Sequence, residues 1–252
     1  MCSTLCVSSK VSFTRALRFS KSIRLAMGDT PLDVHAWRAQ YLNREEPVLI
    51  ESNLATRDPF KLFDIWFKNV ASQNVASFEE LNAVCFSTVG KDLRPASRMV
   101  LLKSYNNDGF SFYTNYNSRK GRELEANPNA CMLFYWPMVH RQVRVEGQVS
   151  KLDEQAAIEY WNSRPLPSRI GSKCSEQSTV VPDREFLINK REALEKQAEN
   201  EGSQSITKPQ SWGGYILTPD YFEFWQGQSD RLHDRLEFKK TGEEWTMQRL
   251  SP

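Results

Sequence analysis

Histidine is scarce in this sequence, and the few cysteines form no CxxC pair. The 252 residues include three histidines and five cysteines. A zinc site would need ligands collected from distant parts of the chain. An odd number of cysteines in a chain of this length also argues against a disulfide framework. We therefore predict no metal site and expect the protein to fold in a reducing compartment.

Motifs that bind phosphate through a glycine-rich backbone are missing as well. The chain has no GxGxxG and no GxxxxGK motif, so neither a Rossmann dinucleotide site nor a P-loop is supported. The GxSxG and HExxH motifs of hydrolases are also absent. No run approaches the roughly 18 apolar residues that cross a bilayer, so we predict no membrane partner. Any phosphate group must therefore be bound mainly by side chains.

Acidic residues are absent from the first 28 positions, where five of the 33 basic residues lie. The other 28 basic residues accompany all 31 acidic residues in 29–252, which gives that part a net charge of −3. A mildly acidic body argues against nucleic acid as a partner. Two interpretations of the basic tail at 1–32 stay open. It is either a disordered segment of a cytoplasmic protein or a mitochondrial targeting segment carried by residues 1–28.

The hydrophobic pattern predicts one helix followed by a mostly β chain. Asp58 and Pro59 provide the cap and first turn of a helix whose apolar residues recur every three or four positions. Strands are predicted at 83–89, 97–103, 109–114, 130–136, 142–149, 213–218, 221–226, 231–238 and 244–250, and further helices near 153–163 and 183–201. Many short strands with helices at the margins predict a mainly β fold, arranged as a closed or partly closed antiparallel barrel. We assign residues 33–252 to this domain.

Two cations stand at the ends of the predicted strand 97–103. Arg98 and Lys103 enclose an apolar run and are five residues apart, which puts them on opposite faces of a regular strand. Each could therefore bind a different anion. The alternative is that both are solvated residues at the strand ends.

A second candidate is the start of a predicted helix at Ser118, which can cap a first turn that carries Arg119 and Lys120. Free backbone N–H groups and two cations at a helix N-terminus form a strong phosphate site. Basic residues there oppose the helix dipole and cost stability unless an anion lies nearby. The pattern fits a phosphate site and an exposed helix end equally well.

The segment 223–235, EFWQGQSDRLHDR, brings three potential cations close together. Arg231, His233 and Arg235 alternate along the chain, so an extended backbone points all three to one face. Such groups repel one another unless they meet an anion or solvent. We therefore favour a functional role for this segment over a purely structural one for His233.

Taken together, these segments resemble the pyridoxine/pyridoxamine 5'-phosphate oxidases. The resemblance covers roughly residues 33–252. It rests on the run from Arg98 to Lys103, on FYTNYNSRKG, RQVRVEG, SRP, QS and SWGGY, and most specifically on EFWQGQ followed by RLHDR. It implies an FMN-binding split barrel, antiparallel and Greek-key-like, that forms a homodimer with one FMN per subunit at the subunit interface.

The resemblance also implies roles for individual residues. Those expected to hold FMN are Arg98, Met99, Val100, Leu101, Tyr113, Thr114, Arg119, Lys120, Gln142, Gln177, Ser178, Trp225 and Arg235. Those expected to contact the substrate are Lys103, Tyr160, Arg164, Ser168, Arg231, Leu232 and His233, with Arg38 and Tyr41 from a weaker N-terminal pattern. Arg231 and His233 are the expected catalytic residues and would lie over the substrate ring.

The implied reaction belongs to vitamin B6 metabolism. It oxidises pyridoxine 5'-phosphate and pyridoxamine 5'-phosphate to pyridoxal 5'-phosphate while O2 is reduced to H2O2. One departure from the family pattern is Asp230, which stands before Arg231 where an amide or a histidine is usual. Two other functions would use the same residues: a flavin or haem binder without oxidase activity, and a protein that stores and delivers pyridoxal 5'-phosphate. The joint presence of both predicted ligand sets favours the oxidase.

Overall fold

The computed structural model describes residues 49–73 and 80–252. The predicted basic tail at 1–32 and two predicted substrate residues, Arg38 and Tyr41, lie outside these ranges. Within them, no helix is both long enough and apolar enough to cross a membrane.

The described residues form nine strands and five α-helices. In chain order these are α1 (Pro59–Gln73), β1 (Ala83–Val89), β2 (Pro95–Leu101), β3 (Ser104–Asn106), β4 (Gly109–Asn115), α2 (Arg119–Ala126), β5 (Asn129–Trp136), β6 (Arg141–Lys151), α3 (Glu154–Ser163), α4 (Leu166–Cys174), α5 (Arg184–Glu201), β7 (Trp212–Gln226), β8 (Asp234–Thr241) and β9 (Glu244–Arg249). The predicted mainly β fold with flanking helices is confirmed.

The strands form a single antiparallel sheet that divides at β7. The order is β2-β1-β5-β6-β7-β4-β3, and β8 and β9 extend from β7 as a second branch. The first half of β7 pairs with β4, whereas residues 221–226 of its second half pair with β8. Because β2 comes back against β4, the sheet curls into a half-barrel. This curvature brings β2 beside β4, and the site described below lies at the ends of these two strands.

The division of the sheet coincides with an irregularity opposite Pro219. The pairing of β6 with β7 shifts between Glu146 and Gly147, and Gly147 faces Pro219. A Cβ atom on Gly147 would lie 2.1 Å from the carbonyl oxygen of Thr218, so only glycine permits this close approach. The two predicted strands 213–218 and 221–226 are therefore one long, bent strand, and the prediction of two separate strands was wrong.

The main core is aromatic and lies between α1 and the curled sheet. As the helical period predicted, α1 buries one side, including Phe63 and Trp66. The ring of Phe63 meets Phe110 and Phe134 edge-on at centroid distances of 4.9 and 5.0 Å. Such edge-to-face pairs contribute about 1 kcal/mol each beyond the burial of their area. They fix α1 against β4 and β5.

A second, smaller core holds the helices beside the first residues of β7. It contains Trp161 of α3, Ile170 of α4, Ala198 of α5, Ile206 and Trp212. The indole N–H of Trp161 donates to the carbonyl oxygen of Ile206 at 3.0 Å, so this fully buried ring leaves no unsatisfied donor. The contacts hold α3 and α4 as a wall next to β4.

Three further elements differ from the predictions. Helix α4 was not predicted because Pro165 and Pro167 suggest a loop, yet prolines are tolerated before and within a first helical turn, whose N–H groups have no intrahelical partner. Strand β2 ends at Leu101, so Lys103 lies beyond it and the opposite-face argument for Arg98 and Lys103 does not apply. Strand β8 begins at Asp234 rather than at 231.

Candidate active site

A cavity of about 460 Å³ lies between the end of β2, the end of β4, the start of α2, and helices α3 and α4. Eleven residues predicted for ligand binding line it, and we call them the cavity group. They are Met99, Val100, Leu101, Lys103, Tyr113, Thr114, Lys120, Tyr160, Arg164, Ser168 and Gln177. The fold thus brings together residues that are up to 78 positions apart, from Met99 to Gln177.

The start of α2 forms one end of the cavity, and its cap is as predicted. The Ser118 hydroxyl accepts a hydrogen bond from the backbone N–H of Gly121 at 3.3 Å. The backbone N–H of Arg119 donates to the Ser178 hydroxyl at 3.1 Å, which ties the segment after α4 to the helix start. Ser178, one of the predicted cofactor residues, therefore lies at the helix N-terminus, where the dipole favours a negative charge.

Lys120 is a buried cation at this helix start, with 7% of its surface exposed. Its Nζ donates to Gln177 Oε1 at 2.9 Å and to Thr114 Oγ1 at 3.1 Å, and both partners are neutral. Burial lowers the pKa of Lys120 to about 8, helped by the positive charge of Arg98 and opposed by Glu123. A protonated amine in this position lacks a directly paired anion among the described residues, which suits it to receive one from a ligand.

Arg98 and Arg119, both predicted cofactor residues, share one carboxylate. Arg98 Nη2 lies 2.9 Å from Glu123 Oε2, and Arg119 Nε lies 2.7 Å from Glu123 Oε1. Arg98 also donates to the Thr88 hydroxyl. Neither arginine lines the cavity, but both stand beside Lys120 at the start of α2. Glu123 was not among the predicted site residues, although its spacing of four from Arg119 on a helix was a usable signal.

The opposite end of the cavity combines aromatic rings with cations. Tyr160 stacks on Tyr113 at a centroid distance of 4.0 Å. The Arg164 guanidinium lies over the Trp212 ring at 4.9 Å and donates to the Ser172 hydroxyl at 3.0 Å. Burial holds the pKa of Arg164 below its usual value. The ring of Trp212, which was not among the predicted site residues, therefore packs against the guanidinium of Arg164, a predicted substrate residue.

Six other predicted residues lie away from the cavity, and we call them the β7–β8 group. They are Gln142, Trp225, Arg231, Leu232, His233 and Arg235. Gln142, Trp225 and Arg235 sit directly opposite one another on β6, β7 and β8, so their side chains share one face of the sheet. Arg235 pairs with Glu223, its Nε lying 2.9 Å from Oε1.

The loop between β7 and β8 is a turn rather than an extended segment. Arg231 has a φ of 71°, and its N–H donates to the carbonyl oxygen of Gln228 at 3.2 Å. The Asp230 carboxylate accepts from the Leu232 N–H at 2.9 Å. The expectation that Arg231, His233 and Arg235 alternate on one face of a strand was therefore wrong.

His233 nevertheless has a defined place beside the sheet. Its ring centroid lies 5.1 Å from that of Trp225, and its Nδ1 accepts the backbone N–H of Gln228 at 2.9 Å. Because Nδ1 is an acceptor, the neutral ring carries its proton on Nε2. Across the described ranges, no cluster of three or more histidine, cysteine, aspartate or glutamate side chains has the arrangement of a metal site.

Comparisons with known proteins agree with this architecture. The family model described as pyridoxamine 5'-phosphate oxidase matches residues 71–197, and that of the pyridoxine 5'-phosphate oxidase C-terminal dimerisation region matches residues 212–252. A putative pyridoxamine 5'-phosphate oxidase of Caenorhabditis elegans is 65% identical over 225 residues, covering 89% of this chain and 100% of that protein. The pyridoxine-5'-phosphate oxidase of Bos taurus is 42% identical, covering 96% of this chain and 97% of that protein.

A solved structure gives the same result for the fold. PhzG from Burkholderia lata, crystallised with tetrahydrophenazine-1-carboxylic acid, superposes with a TM-score of 0.75 at 30% sequence identity. The match covers 82% of this chain and 98% of PhzG. Sequence and structure therefore agree, and the chain belongs to the pyridoxamine 5'-phosphate oxidase family.

Proposed function

We propose that this protein uses FMN to oxidise pyridoxine 5'-phosphate and pyridoxamine 5'-phosphate to pyridoxal 5'-phosphate, with O2 reduced to H2O2. The observation that carries the proposal is the cavity group. One cavity is lined both by residues predicted for the cofactor and by residues predicted for the substrate. A protein that only carried a flavin would have no use for the second set.

The residues at the start of α2 fit the phosphate of FMN. Lys120 is buried and has no paired anion among the described residues, Arg98 and Arg119 stand beside it, and the helix supplies backbone N–H groups. Met99, Val100 and Leu101 would border the ring system from the end of β2. Bound there, FMN would supply the acceptor for a hydride from C4' of the substrate and the route for the two electrons to O2.

The other end of the cavity suits a second phosphate, that of the substrate. Lys103 and Arg164 are cations, and Ser168 and Tyr160 add hydroxyl groups. Arg164 is held by its ring and hydroxyl contacts, so little side-chain freedom is lost when it binds. These residues would fix the substrate through its phosphate and leave C4' directed toward the cofactor.

A second copy of the chain would complete the site. The β7–β8 group does not line the cavity of its own chain, and all of its residues except Gln142 lie within the segment matched by the dimerisation-region model. In a homodimer, Arg231 of one copy would pack over the substrate ring held in the cavity of the other. His233, whose neutral ring carries its proton on Nε2, would hydrogen-bond the C4' substituent or relay its proton.

Anaerobic mixing of the purified, FMN-loaded protein with pyridoxine 5'-phosphate tests the proposal. We expect the visible absorbance of the flavin to bleach, and to return with formation of H2O2 when air is admitted. Pyridoxine, which lacks the phosphate, is the matched control and should bleach the flavin far more slowly. If bound flavin stays oxidised with both the alcohol and the amine substrates, the protein is a binding or delivery module and the proposal fails.

A further inference from the structure

Glu123 is a buried carboxylate on α2 that the proposed function has not used. It is 8% exposed, and both of its oxygens are occupied. Oε1 pairs with Arg119 one helical turn earlier, and Oε2 pairs with Arg98, which reaches it from β2. The Thr88 hydroxyl on β1 donates to Oε2 at 2.5 Å. One side chain thus links the helix start to two strands of the sheet.

These contacts keep Glu123 ionised in spite of its burial. Burial alone would raise the pKa of its carboxyl, but the hydrogen bonds from Thr88, Arg119 and Arg98 outweigh it and hold the pKa below its usual value. The negative charge is therefore a permanent part of the cluster at neutral pH.

The charges of the cluster match those of a phosphate dianion. Arg98, Arg119 and Lys120 contribute three positive charges and Glu123 one negative charge, which leaves a net charge of +2. A phosphate monoester carries close to −2 at neutral pH. Glu123 uses only Nε of Arg119, so the two terminal nitrogens of that guanidinium keep their donors for a ligand.

We propose that Glu123 is a positioning residue for the flavin phosphate, holding Arg98 and Arg119 in the orientation in which they bind it. The inference rests on the proposed function, because it presupposes that FMN binds at the start of α2. Glu123 does not line the cavity and would act through the two arginines that it pairs with. An arginine that is already oriented loses less side-chain entropy on binding, so removing its carboxylate partner weakens the phosphate contact.

Titrations of the apoprotein with FMN and with riboflavin test this role. Riboflavin has the same ring system without the phosphate, so the ratio of the two Kd values isolates the phosphate contribution. In Glu123→Gln we expect the Kd for FMN to rise about tenfold while that for riboflavin changes less than about twofold. The control is Glu125→Gln, on the same helix, which removes an exposed carboxylate paired with Lys151 at 3.4 Å and should leave both values unchanged.

The dependence of the FMN affinity on pH gives a second readout. The groups that face Lys120 are Arg98, Thr114, Ser118, Gln177 and Glu123. Because Glu123 is the anion that favours protonated Lys120, its removal lowers the pKa of that amine further. The pH at which the FMN affinity begins to fall should therefore be lower in Glu123→Gln than in the wild type. An unchanged pH profile would show that Glu123 has no electrostatic effect at the site where FMN affinity is set, which would contradict its place in the phosphate cluster.

Glu123→Asp separates orientation from charge. It retains the charge on a shorter side chain, so we expect a pH profile close to that of the wild type but a raised Kd for FMN. Equal FMN affinity in Glu123→Asp and the wild type would overturn the positioning role. An equal loss of FMN and riboflavin binding in Glu123→Gln would also overturn it, because that result indicates a general loss of structure. If the wild type itself does not bind FMN, the proposed function fails instead.

Discussion

The cavity group and the β7–β8 group differ in how the chain holds them. Most of the cavity residues lie on or directly beside regular elements, and buried polar contacts fix several of them, as the bonds of Lys120 to Thr114 and Gln177 illustrate. The residues predicted for catalysis lie on a loop: Arg231 is exposed and adopts a positive φ. The chain therefore holds the buried cation Lys120, proposed to bind phosphate, through fixed polar contacts, and presents the proposed catalytic residues on a loop, an element that is more often mobile.

This difference indicates a division of labour. A rigid cavity that is lined by cations can fix the cofactor and the substrate, each by its phosphate. A loop from a second copy can then close over the reacting atoms. Changes of the proposed substrate-binding residues in the cavity and changes of the loop residues Arg231 and His233 should consequently affect different kinetic constants, and changes in separate chains should complement each other.

Arg231→Ala should have the largest effect, lowering kcat about 100-fold with little change in KM, because Arg231 acts on alignment in the transition state. Lys103→Ala is the matched change in the cavity group and should instead raise KM, since it removes a phosphate contact made equally in the ground state. Steady-state kinetics with pyridoxine 5'-phosphate measure both. A raised KM with unchanged kcat in Arg231→Ala would make Arg231 a simple binding residue.

Mixed dimers should recover much of the activity that the two variants lose singly. If each site combines the cavity group of one chain with the β7–β8 group of the other, a dimer of Lys103→Ala and Arg231→Ala chains contains one unaltered site. At a substrate concentration well below the raised KM of Lys103→Ala, co-expression should then give about a quarter of the wild-type activity per total protein, since about half of the dimers are mixed and each has one intact site. Activity that stays at the level of the single variants would show that both groups serve the same chain's cavity.

The fold was largely predictable because its patterns are local. The period of α1 and the alternation of β6, which buries Val143, Val145 and Val149, follow from the order of apolar and polar residues alone. The continuous path of β7 through Pro219 was not predictable in this way. It depends on Gly147 of the neighbouring strand, and no pattern within β7 reports that pairing.

The residues of the site also differ in how far local sequence signals predict them. The cap at Ser118 and the cations that follow it are local signals, and the structure contains the predicted helix start. The pairing of Arg98 with Glu123 joins residues 25 positions apart and could not be deduced from spacing. The prediction for the loop between β7 and β8 was wrong for another reason. Its alternating basic residues imitate a strand, whereas the side chain of Asp230 and the turn at Gln228 set its actual backbone.

The affinity for FMN should fall with rising pH through the titration of Lys120. The pKa of this amine is lowered to about 8, so the protonated form that binds phosphate is the main form only below that value. The phosphate is already a dianion throughout this range, so we expect the Kd to be constant up to about pH 8 and then to rise about tenfold per unit. Titrations with riboflavin should show no such rise. Lys120→Met should bind FMN weakly at every pH, and a rise that persists in this variant would assign the effect to another group.

Asp234→Asn should have the smallest effect on catalysis, since it acts on the β7–β8 loop only through its anchor. Asp234 is 2% exposed and accepts hydrogen bonds from Leu49 N, Gln228 Nε2 and Arg249 Nη1. Replacing the carboxylate leaves Arg249 with one fewer anion and should cost about 2 kcal/mol of unfolding free energy, measured by urea denaturation at fixed protein concentration.

The same variant distinguishes the two groups of residues functionally. A loosened anchor should lower kcat by about threefold, whereas the ratio of FMN to riboflavin affinity should stay at the wild-type value, because the phosphate contacts belong to the cavity. The control is Glu243→Gln, which removes an almost fully exposed carboxylate and its distant pairing with Lys240. This variant should change neither kcat nor the ratio of FMN to riboflavin affinity. If Asp234→Asn weakened the binding of the flavin phosphate, the two groups would be coupled within one chain. The division of labour between a rigid cavity and a separate loop would then be incorrect.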